Sequence, residues 1–359
     1  KSAQRRLLHR QGKSNKIGKI HSDIIHIQIW KQESQAKPAG SCFPHRREHK
    51  MKLVIRADDI GYSKVCNIGA FETMETGVVT SADVMLDTPG TVDALERLRE
   101  FPWISVGWHT HFWGSPVLGG EKVPSMYDAA RGGFRTDLYT AQNVSFDEAL
   151  AECRAQMELC VRTLGRAPDV GGPLMQGNGP FMKALMQVHR EYGIVTDFMG
   201  LDLGANGKIP NTLLPPADEA WAARKIFMRG LNEYCRPLRA EPLAENGWTD
   251  SITALYDYDP IRFYVEDESG LLKINDGSIT VHAWHPGYLD YYVLRHGDYT
   301  PGARVFKDIR AIDAHALCSD EVRGWMKENG VELVNMRDAL YGTREYQNHL
   351  RAVGSELAV

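Results

Sequence analysis

Cysteine is scarce in this chain: six among 359 residues, with no CxxC pair. That excludes a disulfide framework or a thiolate metal knot and points to a reducing, cytoplasmic setting. Cys153 and Cys160, seven apart on a predicted helix, read as packing residues. Long apolar runs are also missing; none approaches the ~18 residues of a membrane span. No internal repeat or low-complexity tract is present, which argues against a solenoid. A basic surplus is absent from the body of the chain. Residues 1–50 hold 12 Lys/Arg against 3 Asp/Glu, leaving 30 basic and 43 acidic residues for the rest, a balance of −13. Such an acidic body disfavours nucleic acid as a partner. What remains, 43% hydrophobic and 25% charged residues, is a globular composition.

The first fifty residues stand apart. Their periodicity is poor outside Ile24–Trp30, and at Met51 the pattern switches to a clean strand. We expect a leader over 1–50, loose or foreign to the natural protein, with an organelle-targeting peptide as the rival reading. A domain over 51–345 and a short tail over 346–359 follow.

From Met51 strands and helices alternate. Lys52–Ala57, Val78–Leu86, Trp103–Trp108, Ala167–Gly172, Ile194–Phe198, Ser278–Ala283 and Val331–Asn335 read as strands. Helices are predicted over 65–76, 91–100, 145–164, 180–192 and 305–329, with a helical piece near 218–228. Ser145 with Glu148 has the spacing of a capping box. A Gly- and Pro-bearing loop over about 112–144 directly follows a histidine pair and suits an active-site loop. An insertion near 200–275 is expected to shape a cleft. The alternation predicts an α/β fold, barrel-like, of mainly parallel strands covered by helices, with chemistry at the C-terminal strand ends.

The chemistry-bearing residues fall at those ends. Arg56-Ala57-Asp58-Asp59-Ile60-Gly61 closes the first strand, and two adjacent carboxylates there are costly without a cation. His109 and His111, spaced i, i+2, share one face of a strand. His285 precedes Pro286-Gly287, a turn that fixes its ring, and His282 lies three residues earlier. Thr80 could meet substrate. Trp113 and Tyr288 belong to a set of aromatic groups that could meet substrate as well. Carboxylates and imidazoles gathered this way read as a divalent-metal site for hydrolysis of an amide or ester.

Four stretches resemble one family. Ala57-Asp58-Asp59-Ile60-Gly61 is similar to its Ala-Asp-Asp-Phe-Gly, and Gly77-Val78-Val79-Thr80-Ser81 with Met85 to its Gly-x-x-Thr-Ser-x-x-x-Met. Val106-Gly107-Trp108-His109 looks like its Val-Gly-Leu-His, and His285-Pro286-Gly287 like its late His-Pro-Gly. This is the YdjC-like carbohydrate (chitooligosaccharide) deacetylase family, resembled over about Met51–Leu340. The resemblance implies a (β/α) barrel-like fold and Mg²⁺- or Zn²⁺-dependent removal of an acetyl group from an amino sugar. It implies Asp58 as base, Asp59 and His109 as metal contacts, and His285 at the leaving group.

One departure stands out. The family's Asp-Ser-His-x-His-x-His segment corresponds here to Pro168–Gln176, which has no histidine. His111 or His282 is then expected to replace the missing ligand, or the metal to bind more weakly. Three readings stay open: a sugar deacetylase, a metal hydrolase acting on another amide or an ester, and a carbohydrate-binding homologue without turnover. Expected partners are a small-molecule or oligosaccharide substrate and a second copy in a homodimer, with neither nucleic acid nor membrane.

Overall fold

The computed structural model describes residues 51–173, 177–196, 225–230, 258–296 and 307–359. The leader 1–50 and much of the expected 200–275 insertion lie outside them. The sheet is built on β1 (Lys52–Ile60), β2 (Ser81–Val84), β3 (Ser105–Thr110), β6 (Val170–Pro173), β7 (Val195–Thr196), β8 (Ile226–Gly230) and β9 (Ile279–Trp284). Their order is β7-β6-β3-β2-β1-β9-β8, every pair parallel, and β10 (Glu332–Leu333) pairs with the start of β1. A two-stranded hairpin, β4 (Tyr127–Asp128) and β5 (Gly133–Phe134), stands apart in the loop after β3. The expected parallel, helix-covered, barrel-like sheet is therefore present.

Alternation along β1 explains its two faces. Leu53, Ile55 and Ala57 join a large core with Ala70 and Phe71 of α1 (Lys64–Glu75) and Leu95 of α2 (Thr91–Leu98). Val54 points the other way and packs with Met228, Val281 and Ala283. Period-two geometry then carries Arg56 and Asp58 onto that inner face.

Helix ends follow their local chemistry. Ser63 caps α1, its hydroxyl accepting from the Cys66 amide at 3.0 Å, so the helix begins directly after the acidic motif. Ser145 caps α3 (Phe146–Leu164), which stops at Gly165 in a left-handed turn. Only half of the expected capping box forms, because the Glu148 carboxylate accepts instead from the Ser125 amide and hydroxyl. Next come α4 (Pro180–Tyr192), α5 (Pro260–Val265) and α6 (Tyr291–His296).

Three expectations change. Ile226–Met228, read as helical, is strand β8, since Ile226 and Met228 alternate into the inner apolar cluster. The single helix over 305–329 is two, α7 (Arg310–Leu317) and α8 (Asp320–Glu328), because Ser319 caps a new start. Past α9 (Met336–Tyr341), the expected tail is helix α10 (Glu345–Ala352), held by Tyr346 Oη on the Val79 carbonyl at 3.3 Å and Gln347 on the Leu333 carbonyl at 2.9 Å.

Two buried histidines on the helix side give the fold a pH signature. Burial pushes His189 down to about 4 and His282 down to about 3. Both are neutral when folded but take up protons once unfolded, near pH 6.5. Stability is therefore complete above that pH and falls as pH drops through the window toward 4, by on the order of 2 kcal/mol per histidine at pH 5. We expect a clear loss of Tm between pH 7 and 5, made shallower by His189→Gln; an unchanged slope in that variant would refute the assignment.

Candidate active site

The acidic motif works through a bulge. Ala57 pairs with Ala82 and Ile60 with Val84, so Asp58 and Asp59 together oppose the single residue Asp83. Asp59 has φ of 60°, a left-handed conformation that aspartate tolerates better than most residues. Strict alternation would send neighbours to opposite faces; the bulge turns Asp59 back so that both carboxylates serve one site.

Asp58, Asp83 and His109 form a compact buried group. One ligand atom from each lies within 4.8 Å of the other two. They come from the C-terminal halves of β1, β2 and β3. Gly107, paired with Asp83 in register, leaves the space this carboxylate occupies: a Cβ there would lie 2.0 Å from Asp83 Oδ1. Arg56, fully buried, brings Nε to 2.7 Å from Asp58 Oδ1 and 3.4 Å from Asp83 Oδ2.

Asp59 sits beside this group. Its Oδ2 accepts from Arg310 Nη2 at 2.5 Å, and its Oδ1 lies 3.1 Å from His109 Nε2. Burial pushes the Asp59 carboxyl up, but Arg310, His109 and His285 outweigh it and hold it well below the usual range. Burial likewise pushes His109 down, while Asp59, Asp58 and Asp83 raise it to about 9. His285 follows β9 and is buried. Burial pushes it down to about 4, with Asp59 and Asp58 opposing and Arg310 and His109 assisting. Its amide donates to Asp313 Oδ2 at 2.9 Å, and Tyr258 donates to Asp313 Oδ1 at 2.6 Å. The turn after it abuts α1, since a Cβ on Gly287 would lie 2.4 Å from Cys66 Sγ.

The donor set fits a divalent cation. Two carboxylates and an imidazole are the ligands such ions take, and all three are buried. The carboxylates Asp58, Asp59 and Asp83 outnumber the guanidiniums Arg56 and Arg310 by one.

The other expected residues are distributed around this centre. His111 lies just past the end of β3: its Nδ1 accepts from the Trp113 amide at 2.9 Å and its Nε2 lies 2.7 Å from Asp87, which places the ring outside the group. Trp113 stacks on His111 at 5.3 Å and lies 6.3 Å from Tyr62, whose ring also meets Tyr292 at 5.7 Å. Thr80 exchanges hydrogen bonds with the Ile55 main chain at the opposite end of β2 from Asp83. His282 lies on the helix side of β9, with Nδ1 3.1 Å from Tyr264 Oη. Tyr288 donates to Glu72 on α1. In the histidine-free segment Gly172 pairs with His109 and presents no side chain; residues 174–176 lie outside the described ones. Asp169 is tied to Ser105, Val106, Arg166 and Arg337, away from the group.

Asp83 and the two arginines were not singled out by sequence reasoning. Asp83 carried a signal, a charge between Ala82 and Val84 whose apolar side chains fix its phase inward; Arg56 shares that phase with Asp58. Arg310, 251 residues from Asp59, carried none.

A family model described as YdjC-like protein matches residues 52–328. A carbohydrate deacetylase of Brevibacillus brevis is 40% identical over 108 residues, 30% of this chain and 42% of that protein. That match thus spans less than half of the relative. Carbohydrate deacetylase 2 of Listeria innocua is 23% identical over 80% of this chain and 98% of its own. A solved Enterococcus faecalis structure, described as a candidate cellobiose-phosphate cleavage protein, shares the fold at a TM-score of 0.53 and 19% identity, covering 80% of this chain and 97% of that one.

Gly107→Ala provides a test of the carboxylate's place. The added methyl meets Asp83 at 2.0 Å, and such overpacking costs about 1–3 kcal/mol. We expect a folded protein with lowered Tm and weakened binding of Zn²⁺ or Mn²⁺ by calorimetry. Unchanged binding would place the cation elsewhere.

Proposed function

The chain belongs to the YdjC-like protein family, and on that premise we propose that it is a metal-dependent hydrolase removing the acetyl group from an N-acetylated sugar. The observation that carries this reading is the buried Asp58, Asp83 and His109 group at adjacent parallel strand ends, the position where this architecture does its chemistry. The names of the Brevibacillus and Listeria relatives support the substrate class.

These three residues would hold Mg²⁺ or Zn²⁺, which when bound polarises an amide carbonyl and acidifies water. In this reading Asp58 is a ligand rather than the base expected from its motif, because it shares the group with Asp83 and His109. His285 is the proton carrier. It accepts a proton from the attacking water and returns one to the departing amine nitrogen, so one imidazole serves both halves of the hydrolysis. Asp313 fixes the main chain at His285, and the Gly287 contact with α1 keeps the ring at the mouth of the sheet. Tyr62, Trp113 and Tyr292 form an aromatic wall near Arg310, suited to the apolar face of a sugar ring. A cytoplasmic setting completes the reading.

Acetate release from N-acetylated chitooligosaccharides, with and without chelator, tests it. We expect activity with added Mg²⁺ or Zn²⁺, lost on chelation and restored by the ion. Asp83→Asn should lower turnover by roughly a hundredfold or more, beyond what an outer-sphere partner of a ligand costs. His285→Gln should lower kcat by roughly 10²–10⁴ while cation affinity is kept. Full turnover in chelated protein would end the metal reading; acetate from simple amides or esters but never from sugars would end the sugar one.

A further inference from the structure

Glu152, on α3, is fully buried, and among the described residues no cation pairs with it. A carboxylate is costly to bury without a counter-charge, so it needs donors of another kind. It finds three N–H groups. Oε1 accepts from the Val117 amide at 2.8 Å and from Gln156 Nε2 at 3.0 Å, and Oε2 accepts from the Leu118 amide at 3.0 Å. Gln156 Oε1 in turn accepts at 3.2 Å from Nε1 of Trp108, the residue before His109 on β3. The network therefore runs from β3, through two side chains of α3, to the loop that follows β3.

That loop carries Trp113, which lies 6.3 Å from Tyr62 in the aromatic wall. Its first residues are tied at short intervals: the Trp113 amide to His111, the Ser115 amide to the Asp87 carbonyl at 3.1 Å, and the Val117 and Leu118 amides to Glu152. Gly114 passes so close to Asp87 that a Cβ would lie 2.5 Å from its carbonyl oxygen. Resting on the sugar-hydrolase reading, we infer that Glu152 is a positioning residue for substrate: it fixes the loop after β3 against α3 so that Trp113 keeps its place beside Tyr62. Packing alone would be served by an apolar side chain at lower cost. Two main-chain amides and a side-chain amide converge here, and an ionised carboxylate, which only accepts, satisfies all three. A glutamine of the same shape turns an NH₂ toward one of these donors and leaves it unpaired.

N-acetylated chitobiose is the probe, on the full chain. In the parent protein, saturating sugar should slow hydrogen exchange at the Val117 and Leu118 amides, because a loop that supports binding is supported by it in return. Glu152→Gln should speed exchange at both amides. It should also raise KM and the calorimetric Kd for the sugar roughly tenfold, about the worth of one hydrogen bond to a charged acceptor, with kcat and Zn²⁺ affinity unchanged. Loss of kcat or of Zn²⁺ affinity alongside the rise in KM marks a structural residue and overturns the inference, as does loosened exchange with unchanged sugar affinity. Unaltered exchange on sugar binding in the parent overturns it too, and that measurement needs no substitution, so a variant that does not fold does not protect the idea. A parent protein that binds the sugar but releases no acetate ends the hydrolase reading alone, and the exchange and affinity data still decide the role of Glu152. A parent protein that binds no sugar overturns both.

Discussion

The site depends on placing three carboxylates, Asp58, Asp59 and Asp83, in the buried end of one sheet. Unpaired, each would be prohibitively costly to bury. The structure offsets them with two buried guanidiniums and an imidazole, each within about a hydrogen bond's reach of a carboxylate oxygen. Arg56 lies on the same strand face as Asp58, so its charge is supplied locally. Arg310 reaches Asp59 from a helix late in the chain, so the folding of α7 against β1 is itself a condition for burying that carboxylate. Close approach of α1 to the turn after β9, at Gly69 and Gly287, brings His285 into the same neighbourhood. The geometry of the site and its electrostatic balance are thus one constraint, met by elements from both ends of the domain.

Much of this was legible in the chain. The strand–helix alternation and the placing of Asp58, Asp59, His109 and His285 at or just past strand ends followed from periodicity and turn signals. Of the acidic pair and the two imidazoles expected to meet at one cation, Asp59 lies 3.1 Å from His109, and Asp58 offers a ligand atom within 4.8 Å of one of His109. The i, i+2 rule failed for His111 because β3 ends at Thr110; beyond the strand, alternation no longer dictates direction, and the ring turns to Asp87. His282 sits an odd number of residues from His285, and its even spacing with Trp284 puts it in the aromatic packing around Phe263 and Tyr264. Strand β8 was misread because its register is set by β9, a partner some fifty residues away, rather than by its own pattern.

The histidine-free segment bears on the donor set more than on the fold. On one side of β3, Gly172 stands in register with His109 and offers no ligand. On the other side, β2 presents Asp83 across from Gly107, the residue whose missing side chain makes room for it. The Asp58, Asp83 and His109 group draws a carboxylate from β2, a hard donor that adds a negative charge. Arg56 lies against both Asp58 and Asp83, where that added charge falls. An arginine in this place offsets the repulsion between two neighbouring carboxylates before any cation arrives. Asp83, the room left for it by Gly107 and the guanidinium of Arg56 are then parts of one electrostatic arrangement.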